Sequence, residues 1–188
     1  MSISLDREQI LVEEAKKNPE RFAELYDRYF EQIYRYVHRR VSNDDLAQDL
    51  VSQTFYDALS HLKSYQFRGY PFSSWLYKIA HNNVLKWYRE NSKATMVELE
   101  KAEDIKDKVD IKAEAVINEQ NKGIMALLAQ MEPEEQEMLK LKYFEEISNI
   151  EIGEVMGISA NNVGVKLYRA LKKLKQLMDN NQPQDGSN

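Results

Sequence analysis

The chain has 188 residues, 43% hydrophobic and 30% charged, with a formal net charge of -5 at pH 7; this is the balance of a globular protein with room for one ordinary domain or two small ones. The absence of cysteine excludes a disulfide framework and thiolate ligands, and the three histidines, His38, His61 and His81, follow no common zinc spacing, so neither a metal nor another cofactor is expected. No apolar run approaches the roughly 20 residues that cross a bilayer, and the opening MSISLDREQILVEE lacks the basic-then-apolar layout of a signal peptide, so a cytoplasmic protein is expected.

Helical periodicity begins early, with Ile10, Leu11 and Ala15 suggesting a short first helix. Asn18-Pro19-Glu20 then offers a cap, a proline at the first helical position and an acid in the first turn. The helix that follows repeats Phe22, Leu25, Tyr26, Tyr29, Phe30, Ile33, Tyr34 and Val37 at spacings of three and four, wide enough for a core face. Ser42 or Asn43 caps a third helix with Leu46, Leu50, Val51, Phe55, Ala58, Leu59 and Leu62 as its buried stripe. Gly69 and Pro71 break the pattern. A fourth helix carries Phe72, Trp75, Leu76, Ile79, Ala80, Val84 and Trp87 and ends near Arg89, with Ser73 and Ser74 read as caps.

In SKATMVELEKAEDIKDKVD, acid exceeds base and aromatics vanish, the composition of a flexible acidic linker. A second unit begins near Ile111, with one helix through Met131 and another from Pro133 to about Glu145. The string SNIEIGEVMGISANNVGVKLYRALKKLKQLM then follows helix-turn-helix logic: Ser148 caps a short helix, Gly157 ends it in the left-handed conformation, Ile158 packs inward and Ser159 caps the last helix. The expected fold is all-α. A four-helix unit at 1–91 and a helix-turn-helix unit at 111–179 are joined by a linker at 92–110, and 180–188 form a disordered tail.

Charge is distributed unevenly. No acid occurs between Asp57 and Glu90 or between Glu154 and Asp179, while cations recur in both intervals. On a final helix from Ala160 to Met178, Val163, Leu167, Ala170, Leu171 and Leu174 form the buried stripe, which leaves Asn161, Asn162, Lys166, Arg169, Lys172 and Lys173 outside. Short hydrogen-bonding residues near the start and longer cations beyond suit a helix in the major groove, although a solvated basic face has the same composition.

The other interval interleaves Lys63, Arg68, Lys78, Lys86 and Arg89 with Tyr65, Phe67, Tyr70, Phe72, Trp75, Tyr77, Trp87 and Tyr88. Unpaired strands stack bases on aromatic rings at roughly 1 to 3 kcal/mol per base while cations follow the phosphates. Phe72, Trp75, Ile79 and Trp87 are accounted for as core, but Tyr65, Phe67 and Tyr70 fall in a connection where no helical stripe requires a ring.

Three passages in order, DDLAQDLVSQTFYDAL, the run from Tyr65 to Arg89, and EEISNIEIGEVMGISANNVGVKLYRALKKLK, resemble the bacterial RNA polymerase sigma factors of the sigma-70 family, in the two-domain extracytoplasmic-function group. The resemblance covers nearly everything from Arg21 to Met178. It implies a protein without enzymatic activity whose partners are core RNA polymerase, promoter DNA and an anti-sigma factor.

Asp49, Leu50, Gln53, Thr54 and Phe55 are then expected to dock on the polymerase, with Leu50 and Phe55 partly serving the core. Asp44 and Asp45 also have a simpler role as favourable charge near a helix start, which applies less to Asp49, more than a turn inside. Lys63, Tyr65, Phe67, Arg68, Tyr70, Lys78, His81, Asn82, Lys86 and Arg89 are expected to melt and hold the start-proximal (minus ten) strand, and the loop to accept a base turned out of the duplex. Ser159, Asn161, Asn162, Lys166, Arg169, Lys172 and Lys173 are expected to read the upstream (minus thirty-five) duplex. The family pattern has arginine where His81 stands, aspartate where Lys86 stands, and Thr-Val-Lys-Ser-Arg where this chain reads Asn162-Val163-Gly164-Val165-Lys166. Gly164 inside that helix points to a close approach by DNA or by another helix. A stand-alone helix-turn-helix regulator would explain the second unit but leave the aromatic basic window unused; the chain lacks a nucleotide-binding glycine loop and a nucleophile elbow.

Overall fold

The computed structural model describes residues 4–98 and 123–181, and every regular element among them is helical. The chain divides into two units, one built from residues 1–102 and the other from the larger part of 103–188. Residues 99–110 of the expected linker, 111–122 of the second unit and 182–188 of the tail lie outside the described residues.

The first unit holds four helices: α1 (Leu5–Lys17), α2 (Phe22–Val41), α3 (Asp44–His61) and α4 (Phe72–Glu98). α1 is longer than its apolar residues suggest, because Ser4 accepts from the Arg7 amide and caps it a turn before Ile10. It buries Leu11, Val12 and Ala15 together with Glu8, whereas Ile10 faces solvent. Asn18 accepts from the Glu20 amide as expected, but the proline opens one 3-10 turn that leads into α2. At the other end of α2, Ser42 takes the left-handed conformation (φ 50°), so Asn43, which accepts from the Leu46 amide at 2.9 Å, caps α3.

Leu25, Ile33, Tyr36, Val37, Val51, Phe72, Leu76 and Tyr77 are fully buried at the centre of this bundle. Removing an aliphatic or aromatic side chain of this kind from water contributes roughly 1.5 to 3 kcal/mol. Tyr36 and Tyr77 pack edge to face at 5.0 Å, and their hydroxyls meet His81 Nδ1 at 3.3 Å and accept from Gln32 Nε2 at 2.8 Å. This satisfaction is what lets two phenols sit in a core. Ser73 and Ser74, expected as caps, instead occupy the buried first turn of α4. The helix also continues past Arg89 to Glu98: Asn91 to Glu98 contains neither glycine nor proline, so the loss of apolar period does not end it.

In the second unit a helical turn at 123–128 precedes α5 (Pro133–Tyr143), α6 (Asn149–Met156) and α7 (Ala160–Asn180). Ser148 and Glu151 form a reciprocal cap, each accepting from the other's amide, at 3.3 and 2.8 Å. Gly157 adopts φ +71° and the Ile158 amide donates back to the Gly153 carbonyl at 3.0 Å, closing the turn of the helix-turn-helix. Ser159 accepts from the Asn162 amide and caps α7. Val163, Leu167 and Ala170 are buried along α7, but Leu171 is exposed, because its position turns past the edge of the seam with α5.

The glycines within α6 and α7 have opposite roles. A Cβ at Gly153 would lie 2.6 Å from the Ile158 carbonyl oxygen, whereas at Gly164 the nearest atom is Asn149 Nδ2 at 3.8 Å, so no tight helix contact requires that glycine. Gly153→Ala is expected to unfold the second unit at lower temperature, and Gly164→Ala to raise its stability by up to about 1 kcal/mol. Thermal denaturation of the two variants checks both signs, and equal effects would contradict the assignment.

Candidate nucleic-acid interface

The connection between α3 and α4 starts with a 3-10 turn at Leu62–Ser64, anchored by buried Leu62, and passes through Gly69 at φ +81°. Tyr65 stands edge-on to buried Phe72 at 5.2 Å and lies 4.9 Å from the half-buried ring of Trp75, while Phe72 and Trp75 are 5.4 Å apart. Phe72 is thus the core member of this trio and Tyr65 and Trp75 its outer edge. Phe67 and Tyr70 are partly exposed, and among the described residues neither packs on another ring. The rings of the loop are therefore not consumed by the bundle.

Burial, with a smaller contribution from the negative charge of Glu8, pushes the Tyr65 hydroxyl up to about 12 from an ordinary 10.0. It therefore stays a neutral donor across the physiological range. Below Tyr65 lies the face of α4 bearing Asn82, Lys86 and Arg89, all exposed, with half-buried Lys78 and His81. His81 is a bundle contact through Tyr36 as well as a surface group. Lys63, in the 3-10 turn, is exposed.

Sequence reasoning passed over the neighbouring end of α2. The Tyr88 hydroxyl donates to the Arg40 carbonyl, and the Arg40 guanidinium covers the Tyr36 ring at 3.4 Å, so α2 carries Arg39 and Arg40 to the flank of the α4 face. The signal was present: between Glu31 and Asp44 the chain has no acid but has Arg35, His38, Arg39 and Arg40.

On α3, Asp49 and Gln53 are exposed, with Gln53 Nε2 donating to Asp57 at 2.7 Å. Leu50, Thr54 and Phe55 are not available to a partner. Leu50 and Phe55 are buried, and Thr54 is wholly enclosed, its hydroxyl donating to the Leu50 carbonyl at 2.7 Å and lying 3.4 Å from Asn83 Nδ2. A threonine whose hydroxyl turns back to the preceding helical turn packs like a small apolar residue. The solvent face instead adds Gln48, Ser52, Tyr56 and Leu59, with Tyr56 67% and Leu59 40% exposed. Leu59 was expected in the stripe, but the 3-10 turn after His61 brings Leu62 into the core position.

The outer face of α7 presents Asn161, Asn162, Arg169 and Lys172 to solvent, with the cap Ser159 at its start. Lys166 and Lys173 are partly enclosed by ion pairs to Glu134 and Glu135 of the first turn of α5, at 2.5 and 2.8 Å. The hydrogen bond from Lys173 is the main cause that holds the Glu135 carboxyl below its usual range. Between these residues stand two that composition did not single out, Val165 at 51% and Tyr168 at 71% exposure. On an α-helix they share the face of Asn161, Asn162, Arg169 and Lys172, and an exposed valine there is suited to a thymine methyl group.

A phenol whose folded pKa is raised contributes stability below the unfolded value and loses it as pH climbs through the folded one. The melting temperature is therefore expected to fall between pH 10.0 and about 12 with a share due to Tyr65. Tyr65→Phe should flatten that share in the difference from wild type, and superimposable pH curves would refute the burial of this hydroxyl.

Comparison with known proteins gives a consistent result. Residues 25–94 match the model of Sigma-70 region 2 and residues 122–174 that of Sigma-70, region 4. The chain is 33% identical to RNA polymerase sigma factor YlaC of Bacillus subtilis, over 86% of this chain and 94% of the relative. It is 28% identical to the ECF RNA polymerase sigma factor SigW of the same organism, over 87% and 92%. Among solved structures it shares its fold with CnrH in complex with the cytosolic domain of CnrY, at 21% identity, a TM-score of 0.67 and coverage of 93% of this chain and 99% of that one. The sigma factor RpoE in complex with the anti-sigma factor NepR from Bartonella quintana is similar at 17% identity, a TM-score of 0.60 and coverage of 86% and 98%. With both family segments in order and a relative matched along nearly its whole length, the chain belongs to the sigma-70 family of RNA polymerase sigma factors, in the extracytoplasmic-function group.

Proposed function

We propose that this sigma factor docks core RNA polymerase through the solvent face of α3, opens promoter DNA with the 65–71 loop and α4, and reads the upstream duplex with α7. The observation that carries this reading is the loop itself. It presents half-exposed rings next to cations, in a stretch that contains no acid. Expelling a base from the stack costs a few kcal/mol, and rings with adjacent polar groups return that energy only to the expelled base. Duplex DNA offers no base face for the same contacts, so the loop discriminates in favour of the opened state.

The remaining assignments follow by exposure and chemistry. Asp49, Gln53, Tyr56 and Leu59 form a mixed polar and apolar face of the kind that buries well against another helix. Asn161, Asn162, Val165 and Arg169 are long or short enough to reach base edges and phosphates from the major groove, with Lys172 further along the backbone. An anti-sigma factor that covers the α3 face would silence the protein by competition with polymerase; the structural relative bound to one supports such a partner.

In vitro transcription with purified core enzyme tests the whole reading: core-dependent transcripts from a subset of promoters are expected, together with weak binding to the same DNA without polymerase. Tight operator binding with no such transcripts would indicate an autonomous regulator instead. Tyr56→Ala should weaken binding to core by about fivefold or more, as expected of an exposed interface aromatic, while Thr54→Val should leave core affinity near wild type in a fluorescence titration. The opposite ranking would remove α3's solvent face from the docking surface. Phe67→Ala or Arg68→Ala should slow open-complex formation about tenfold, the value of one lost base stack, with initial polymerase binding little changed. Equal losses in both steps would exclude a melting role for the loop.

A further inference from the structure

The buried face of α1 consists of Leu11, Val12, Ala15 and one acid, Glu8, which is only 4% exposed. An ionised carboxylate among apolar side chains is costly unless charged hydrogen bonds compensate it. Both oxygens of Glu8 are engaged. Oε2 accepts from the backbone amide of Phe72 at 2.8 Å, and Oε1 accepts from the Tyr29 hydroxyl. Phe72 is the first residue of α4, so a residue 64 positions away supplies an acceptor to the N-terminus of that helix. Two turns further along α1, Lys16 donates to the Tyr65 carbonyl at 2.7 Å and sits 5.7 Å from the centre of its ring, with Glu13 holding the ammonium at 2.7 Å.

Tyr65 and Phe72 are the two ends of the aromatic loop. We infer that α1 is a positioning element for strand capture: Glu8 and Lys16 clamp the two ends of the 65–71 loop, holding Tyr65 against Trp75 and leaving Phe67, Arg68 and Tyr70 presented. This rests on the melting role proposed above and adds residues that touch no DNA. α1 lies ahead of residues 25–94, the segment matched by the region 2 model. The clamp works because a loop with fixed ends has few conformations to lose when a base arrives, so less of the binding energy is spent on ordering it.

The test uses the full chain with core polymerase and a promoter fragment recovered from its own transcripts, carrying 2-aminopurine in the start-proximal element to report base unstacking. Lys16→Met and Glu8→Met should each slow unstacking about tenfold, the order expected for one lost charged hydrogen bond at each loop end, while affinity for core stays within about twofold. Glu8→Gln, which keeps an acceptor for the Phe72 amide, should recover most of the rate. Tyr29→Phe is the stability control: it takes the hydroxyl from the other oxygen of Glu8 and leaves the loop ends held, so it should lower the melting temperature without a comparable loss of opening rate. The inference is overturned if Lys16→Met opens promoters at the wild-type rate, or if opening in all four variants simply follows melting temperature. Should the wild-type chain itself give no core-dependent unstacking, the melting role falls and the clamp falls with it, an outcome distinct from a working wild type with unaffected variants.

Discussion

A carboxylate is an expensive group to remove from water, and the first unit encloses one where three helices meet. Glu8 joins α1 to α2 through a tyrosine hydroxyl and to α4 through a backbone amide. The same contact satisfies an unpaired donor at a helix start and places negative charge at the positive end of its dipole. The direction of α4, the exit of the preceding loop and the register of α1 are thereby tied to one side chain. The aromatic trio of Tyr65, Phe72 and Trp75 is arranged around that junction. The outward-facing edge of that trio thus rests on a polar contact on the inside.

Much of this architecture was legible in the residues because local and tertiary signals agree. Asn18, Asn43, Ser148 and Ser159 cap as their spacing suggests, and Gly157 adopts the left-handed conformation expected of it. Legibility failed where a distant group replaced a local one. Ser73 and Ser74 look like caps but lie inside the buried first turn, and the Phe72 amide is met by an acceptor from α1, which no pattern within the helix records. It also failed at the edges of stripes. Leu59 and Leu171 continue an apolar period yet face solvent, since a stripe read at 3.6 residues per turn does not reveal how wide the facing surface is.

The site residues divide in the same way. Charge and aromatic content singled out the loop and the outer face of α7 as candidates, because an acid-free interval in an acidic chain is a compositional fact. Which members of α3 face outward was not available from composition. Thr54 has the polarity of a surface residue, but its hydroxyl is spent on the Leu50 carbonyl, while Tyr56, which resembles a core residue, is largely exposed. Val165 and Tyr168, which lie outside the stripe, escaped notice because that face was read for hydrogen-bonding and cationic residues alone.

The lysine pairs of the second unit have a thermodynamic consequence. When a free cation meets a phosphate, the ions condensed on that stretch of DNA are released, and the slope of affinity against salt counts them. Lys166 and Lys173 already carry Glu134 and Glu135 as internal counter-ions. If they transfer to phosphate, each abandoned carboxylate recruits a cation from solution and cancels part of that release. Were α7 to lie along a duplex, a salt titration would therefore report fewer phosphates than it contacts, with Arg169 and Lys172 dominating the apparent count.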